Sequence, residues 1–233
     1  MRHAATGALR ALALSLLTLA TPLAAQNGVV DAGTFRVFVD GRAAGTEDFS
    51  IRQAGSGTAS DVTATGHVSV QLPTGTLELS PRLRATGLGA DPVSYQVDVG
   101  GSSPQRIVGT VGSGRFSAKI VTAAGEQLRE YVVSSGALVL DDGVAHHYYF
   151  LAQRGAARVP VIIPRENRQA LATVTRRGEE QTDVGGRSVR AYHLVVQVAG
   201  GPDRHVWVDA LNRVLKVEIP DRSYLAVRTE IPR

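Results

Sequence analysis

The chain contains no cysteine in 233 residues. That excludes a disulfide framework, a thiol nucleophile, a thiolate metal site and a lipid attached at a cleavage-site cysteine. Aromatic residues make up only 5% of the sequence, and the positive charges are almost all arginine, Lys119 and Lys216 being the lysines. A nucleic-acid reader clusters its basic residues among aromatics, whereas here they are scattered singly along the chain. The formal net charge of +4 is halved when Arg2 and Arg10 leave with an N-terminal leader. Catalytic spacings are missing too. There is no H-x-x-x-H or H-E-x-x-H pair for a zinc ion and no G-x-S-x-G elbow for a serine nucleophile. The glycine-rich stretches at Gly100-Gly101, Gly112-Ser113-Gly114 and Gly200-Gly201 lack the helix and lysine of a phosphate loop, so they read as turns. No metal and no cofactor is expected.

Long apolar runs are absent except at the start. Met1 to Ala25 carries Arg2, His3 and Arg10, then an uncharged run from Ala11 to Ala20, then Pro22-Leu23-Ala24-Ala25. This is the pattern of a Sec-type signal peptide cut after Ala25. Its apolar core falls short of the ~20 residues that span a bilayer as a helix. The expected product is residues 26–233, a single β-rich domain in the periplasm or secreted, with no transmembrane anchor.

What remains alternates with period two. Phe35, Val37 and Val39 share one face, as do Val68, Val70 and Leu72, and then Tyr95, Val97 and Val99. Asp40-Gly41 marks a hairpin, since aspartate and glycine supply the positive φ that a tight turn requires. Further strands are expected at Gln105 to Val111, Arg115 to Val121, Glu126 to Val133, Ala170 to Arg177, Glu179 to Val184, Ser188 to Val198, Arg204 to Asp209, Val214 to Ile219 and Tyr224 to Glu230. The consecutive apolar positions Val159 to Pro164 read as a strand covered on both sides, with its prolines confining it to an edge or to its ends. Strands separated by glycine-rich turns every ~8–12 residues indicate an antiparallel barrel or sandwich.

One helix is expected, from Asp142 to Arg154, with Asp141 or Asp142 capping its N-terminus and Gly155 ending it. Val144, Tyr148 and Leu151 recur at helical spacing. A lone helix among strands suggests a plug for a curved sheet. Asp141 and Asp142 are adjacent carboxylates, as an acid–base pair could be, but neighbours at a helix start more often cap than catalyse. His146 and His147 project ~100° apart on a helix and do not easily face one metal.

The segment His205-Val206-Trp207-Val208-Asp209-Ala210-Leu211-Asn212-Arg213-Val214-Leu215-Lys216-Val217-Glu218, with the earlier Asp141, Ala145, Tyr148 and Tyr149, resembles a group of uncharacterised secreted bacterial β-rich proteins. In that group a strand ending in Trp-x-Asp turns through Asn/Gly-Arg and returns as Val-Leu-x-Val-Glu. The resemblance covers mainly Leu138 to Arg228. It implies one strongly curved antiparallel sheet, a half-barrel or open barrel similar in shape to the lipoprotein carriers of the bacterial envelope, with the helix on its concave face. The His146-His147 pair departs from the group's pattern.

The function expected is a soluble envelope protein holding a lipid or other apolar ligand, with Tyr95, Tyr148, Leu151, Tyr192, Leu194 and Trp207 as candidate ligand-binding residues. The alternatives are a non-catalytic scaffold that recruits an envelope protein through an exposed strand edge, and an enzyme acting on envelope polymers.

Overall fold

The alternation is carried through almost the whole chain. In a computed structural model describing residues 28–87 and 90–233, the strands are β1 (Gly28–Val39), β2 (Arg42–Ala54), β3 (Asp61–Leu72), β4 (Gly75–Thr86), β5 (Asp91–Gly101), β6 (Gln105–Gly112), β7 (Arg115–Thr122), β8 (Gly125–Val132), β9 (Leu138–Val139), β10 (Ala157–Ile163), β11 (Arg168–Val184), β12 (Arg187–Val198), β13 (Asp203–Val208), β14 (Val214–Ile219) and β15 (Tyr224–Arg228). The leader expected over Met1 to Ala25 lies outside the described residues. All fifteen strands belong to one sheet, in the order β8-β7-β6-β5-β4-β3-β2-β1-β15-β14-β13-β12-β11-β10-β9. Every neighbour is antiparallel except the short β9, which runs parallel to β10.

One face of this sheet is dry. The register runs Leu77–Val70–Gly45–Val37–Ala226–Val217–Val206–Leu194 across eight adjacent strands, an almost unbroken apolar row. Gly45 leaves no room for a side chain in that row, because a Cβ there would stand 1.9 Å from the Ser69 carbonyl oxygen. The Asp40-Gly41 turn has positive φ at both residues, 50° and 72°, as read from the sequence. The sheet is not closed into a barrel: among the described residues no backbone ladder joins β8 to β9 or β10. Its ends are linked by side chains instead. Tyr131 of β8 donates to Asn167 Oδ1 at 2.9 Å, and Gln169 of β11 donates to the Val132 carbonyl at 2.6 Å.

The helix is shorter than expected. A 3-10 turn at Ala145–His147 runs into α1 (Tyr148–Gln153), and Asp142 to Val144 precede it. Leu138 and Val139 are drawn into pairing with Val161 and Ile162. Gly143, at φ 83°, then turns the chain, with Val144 donating to the Asp141 carbonyl. Tyr148, Phe150, Leu151 and Ala152 are buried in the same core cluster as the dry face. β10 lies between β9 and β11 in the sheet, and Val161, Ile162 and Ile163 are all fully buried.

A second correction concerns β11, expected as two strands broken at Arg177-Gly178. It is one strand with a register shift between Arg176 and Gly178. Past that bulge its hairpin with β12 reaches the C-terminal segment, and a Cβ on Gly185 would lie 2.4 Å from the Thr229 carbonyl oxygen. A small separate cluster of Val184, Ala191, Trp207 and Leu215 is packed there.

Candidate functional site

The dry face is interrupted by charge, and the charges converge on the segment between β9 and α1. Glu47 stands opposite Phe35 and Val68, Arg204 opposite Val196, and Tyr95 opposite Leu83, so each occupies a position that the pleat turns towards the core. Glu47, Asp141, His147 and Arg204 are completely buried, and Asp142 and His146 nearly so. Burial of this kind is tolerated only where each charge is paired and hydrogen-bonded.

The pairing is dense. Asp142 receives Arg204 in a fork, Nε to Oδ1 at 3.2 Å and Nη2 to Oδ2 at 2.8 Å. It also receives Arg222 Nη1 at 2.7 Å and the Tyr148 hydroxyl at 3.4 Å. Asp141 accepts from Arg165 Nε at 2.5 Å and from the Tyr95 hydroxyl, while Arg165 Nη2 donates to the Asp142 carbonyl. Arg165 and Arg222 come from matching connections: Ile163 leads into a 3-10 turn at Pro164–Glu166 and then Asn167 in the left-handed region, and Ile219 leads into one at Pro220–Arg222 and then Ser223 likewise. Arg222 also pairs with Glu166 at 3.0 Å, which ties the two turns together.

Behind the aspartates lies Glu47. Its carboxylate accepts from the backbone N–H groups of Ala145 and His146 at 2.6 and 3.0 Å, and from His146 Nδ1 at 2.7 Å. The helical segment is therefore capped from β2, and neither Asp141 nor Asp142 caps it as expected. Those two side chains are turned to the arginines instead. His146 stacks on Phe49 with ring centroids 5.4 Å apart, and His147 meets Tyr95 edge-on at 5.6 Å.

The tautomers follow from these partners. His146 donates through Nδ1 to the Glu47 carboxylate. His147 Nδ1 accepts from the Asp141 backbone N–H at 3.1 Å, so its Nε2 carries the proton. Both Nε2 atoms are buried without a partner. Among the described residues no group of three or more His, Asp or Glu is placed to hold a metal ion.

Burial raises the Asp141 pKa, with Arg165 and the Tyr95 hydrogen bond offsetting part of the rise. Burial also pushes Asp142 upward, but the hydrogen bonds and charge of Arg204, with the charge of Arg222, outweigh it and hold the group below the usual carboxylate value. Burial, reinforced by His146 and Arg165, drives His147 well below the usual imidazole value. Adjacent carboxylates are thus pushed apart, one towards the acid and one towards the anion, and each carboxylate oxygen accepts at least one hydrogen bond.

A cavity of about 220 Å³ opens onto this network at the end of the sheet where β1, β3, β10 and β14 finish. Val39, Val68, Val70, Leu72, Leu77 and Ile219 are among its walls, and Asp142, Arg165, Arg222 and Tyr224 also line it. A larger cleft of about 460 Å³ lies between β1 and the C-terminal tail. Two of its arginines are already engaged, Arg228 by Asp31 at 2.7 Å and Arg213 by Asp209 and the Arg233 carbonyl, which makes the smaller cavity the better candidate.

No known protein family, curated protein or solved structure matches the chain. The site rests on its own geometry.

Of the six residues expected to bind a ligand, Tyr95, Tyr148, Leu151 and Leu194 are buried in the main core, and Tyr192 packs partly against it beneath the Arg176 guanidinium. Trp207 belongs to the separate small cluster, stacked on His193 at 4.6 Å with Lys216 over its ring. None of the six lines the 220 Å³ cavity. Sequence reasoning missed Glu47, Arg165, Arg204, Arg222 and Tyr224. Two signals were present: the repeated Ile-Pro-x-x-Asn/Ser turn, and an arginine in the dry register of Arg204, Val206 and Val208.

Proposed function

We propose that the chain is an exported envelope carrier that holds a lipid or other apolar ligand inside a strongly bowed sheet. The observation that carries this reading is the rim cavity, with apolar walls and a charged floor. Fifteen strands also need a bow if their ends are to meet. At about 4.8 Å per strand a flat sheet would separate β8 from β11 by roughly 60 Å, yet Gln169 and Val132 are hydrogen-bonded at 2.6 Å. The helix then lies within the bowl, its Tyr148 and Leu151 against the apolar row, and the shape is that of an open half-barrel. The leader supports export, and the resemblance to the secreted bacterial group of β-rich proteins is part of the same proposal.

Native mass spectrometry of protein purified from its own host tests this directly. A lipid adduct that survives desalting and is lost on organic extraction is the expected result. Protein that is bare from the host, and that takes up no fatty acid or lysophospholipid after purification, sinks it.

A second reading, recruitment of an envelope protein at a sheet edge, is favoured by β8. This end strand exposes Leu128 at 76% and Val132 at 59%, and an open edge with apolar side chains invites an added strand. Placing lysine at both positions would then abolish partner capture while leaving lipid content unchanged.

A further inference from the structure

The rim cavity has an excess of hydrogen-bond donors. Asp142 accepts from two atoms of Arg204 and from the Tyr148 hydroxyl, and it is ion-paired with Arg222 Nη1 at 2.7 Å, so both of its oxygens are already engaged. The donors facing it are not filled. Arg165 commits Nε and Nη2 to the aspartates, and its Nη1 makes no hydrogen bond among the described residues. Arg222 is ion-paired with Asp142 and donates one hydrogen bond to Glu166 out of five N–H groups, and its side chain is 40% exposed. The Tyr224 hydroxyl is buried with no hydrogen-bond partner among the described residues. An orphaned buried hydroxyl is costly, and Tyr224 lines the same cavity as the Arg165 and Arg222 guanidiniums, with Asp142 the one carboxylate among the lining residues.

We propose that this cavity takes the anionic head of a single-chain amphiphile, a carboxylate or phosphate borne on an acyl chain, with Arg165, Arg222 and Tyr224 as its donors. The inference rests on the carrier reading above and adds the headgroup and its orientation. A cationic head meets two guanidiniums, and a neutral head forgoes the ion pairing that an anion gains with them. The walls take the first methylenes of the chain, through Val39, Val68, Val70, Leu72, Leu77 and Ile219. The volume of about 220 Å³ is below the roughly 300 Å³ at which pockets for drug-sized ligands begin, which fits one chain rather than two.

The test is calorimetric titration of the delipidated protein with dodecanoate, dodecyl phosphate and dodecanol in parallel. At least one of the two anions is expected to bind roughly tenfold or more tightly than the alcohol, the scale of a hydrogen bond to a charged group. The tighter of the two identifies the source as a free fatty acid or as a phospholipid head. Arg222→Gln should erase the preference and leave dodecanol unchanged. Tyr224→Phe keeps the test open should Arg222→Gln fail to fold. It removes only an unpartnered hydroxyl, so the unfolding midpoint should hold or rise while anion affinity falls. Equal affinity for dodecanol and both anions overturns the headgroup assignment but leaves the carrier reading standing. Absence of binding by all three overturns both.

Discussion

Glu47 accepts both the backbone N–H and the ring Nδ1–H of His146, across 99 positions of sequence, at 3.0 and 2.7 Å. With the Ala145 N–H as a third donor, one carboxylate on β2 satisfies the start of the helical segment and pins it to the sheet. Helix starts are usually capped by a residue next in sequence, so the cap here also acts as a tertiary clamp. Replacing Glu47 by alanine leaves two buried backbone donors and an imidazole N–H unpaired. A loss of roughly 3–5 kcal/mol in urea unfolding is expected. Glu47→Gln, which keeps one acceptor oxygen, should lose less. An alanine variant within about 1 kcal/mol of the parent would show that the clamp is dispensable.

Gly66 tests the same joint from the other side. A Cβ there would stand 2.8 Å from His146 Cε1 and 3.3 Å from its Nδ1, so Gly66→Ala has to move the ring off Glu47. Overpacking of this kind typically costs about 1–3 kcal/mol. Gly112 is the control, because a Cβ at that position meets nothing within 4 Å. The midpoint of Gly112→Ala should stay near that of the parent, and equal shifts in the two variants would count against the tight His146 contact.

The strands were legible because period-two alternation and glycine turns are local properties. Tyr95, Val97 and Val99 declare their face within five residues. The joint was not legible, because Glu47 and the helix it caps are distant in sequence and meet only once the sheet has formed. Asp141 and Asp142 read as caps by proximity, but in the folded chain their side chains meet three arginines delivered from two hairpin turns and from β13. Arg204 could have been found: it falls at a dry position of the alternation, where a charge must have a buried partner. Gly178 misled in the opposite sense. Glycine punctuates turns, yet here it sits at a bulge that bends one long strand.

Trp207 reports on which face the ligand occupies. It is the one tryptophan of the sequence, and Trp207 with its register partners His193 and Lys216 is displaced by one pleat from Val206, Leu194 and Val217 of the apolar row. Its ring stacks on His193, and its Nε1 donates to Glu180. Filling the rim cavity should therefore leave tryptophan emission unchanged in a fluorescence titration. A shift in emission that saturates with ligand would move the binding site to the opposite face.

Stability should fall as the solution is acidified, and the buried groups set the windows. His147 has a folded pKa well below its usual 6.5, owing first to burial and then to its charged neighbours. Below pH 6.5 the unfolded chain takes up a proton that the folded chain refuses, so this stability is present above the unfolded value and is lost as pH falls towards the folded one. The slope is at most about 1.4 kcal/mol per pH unit for each proton. Asp142, lowered from 3.8 by Arg204 and Arg222 against the effect of burial, acts with the same sign in a more acidic window. Asp141 acts oppositely: with its pKa raised, its contribution is present below 3.8 and lost as pH rises through the folded value. Urea midpoints measured from neutral pH downwards should decline first through His147, with a smaller share from the partly exposed His193, whose pKa is lowered by its own burial. His147→Gln should flatten the upper part of that decline, and Asp142→Asn should remove the steep part below about pH 4, the usual carboxylate value. Asp141→Asn should cost less at neutral pH than Asp142→Asn, because it discards a carboxylate whose ionisation the folded state resists. An unaltered slope between about pH 5 and 6.5 in His147→Gln, the range in which an imidazole titrates, would place the titrating group elsewhere.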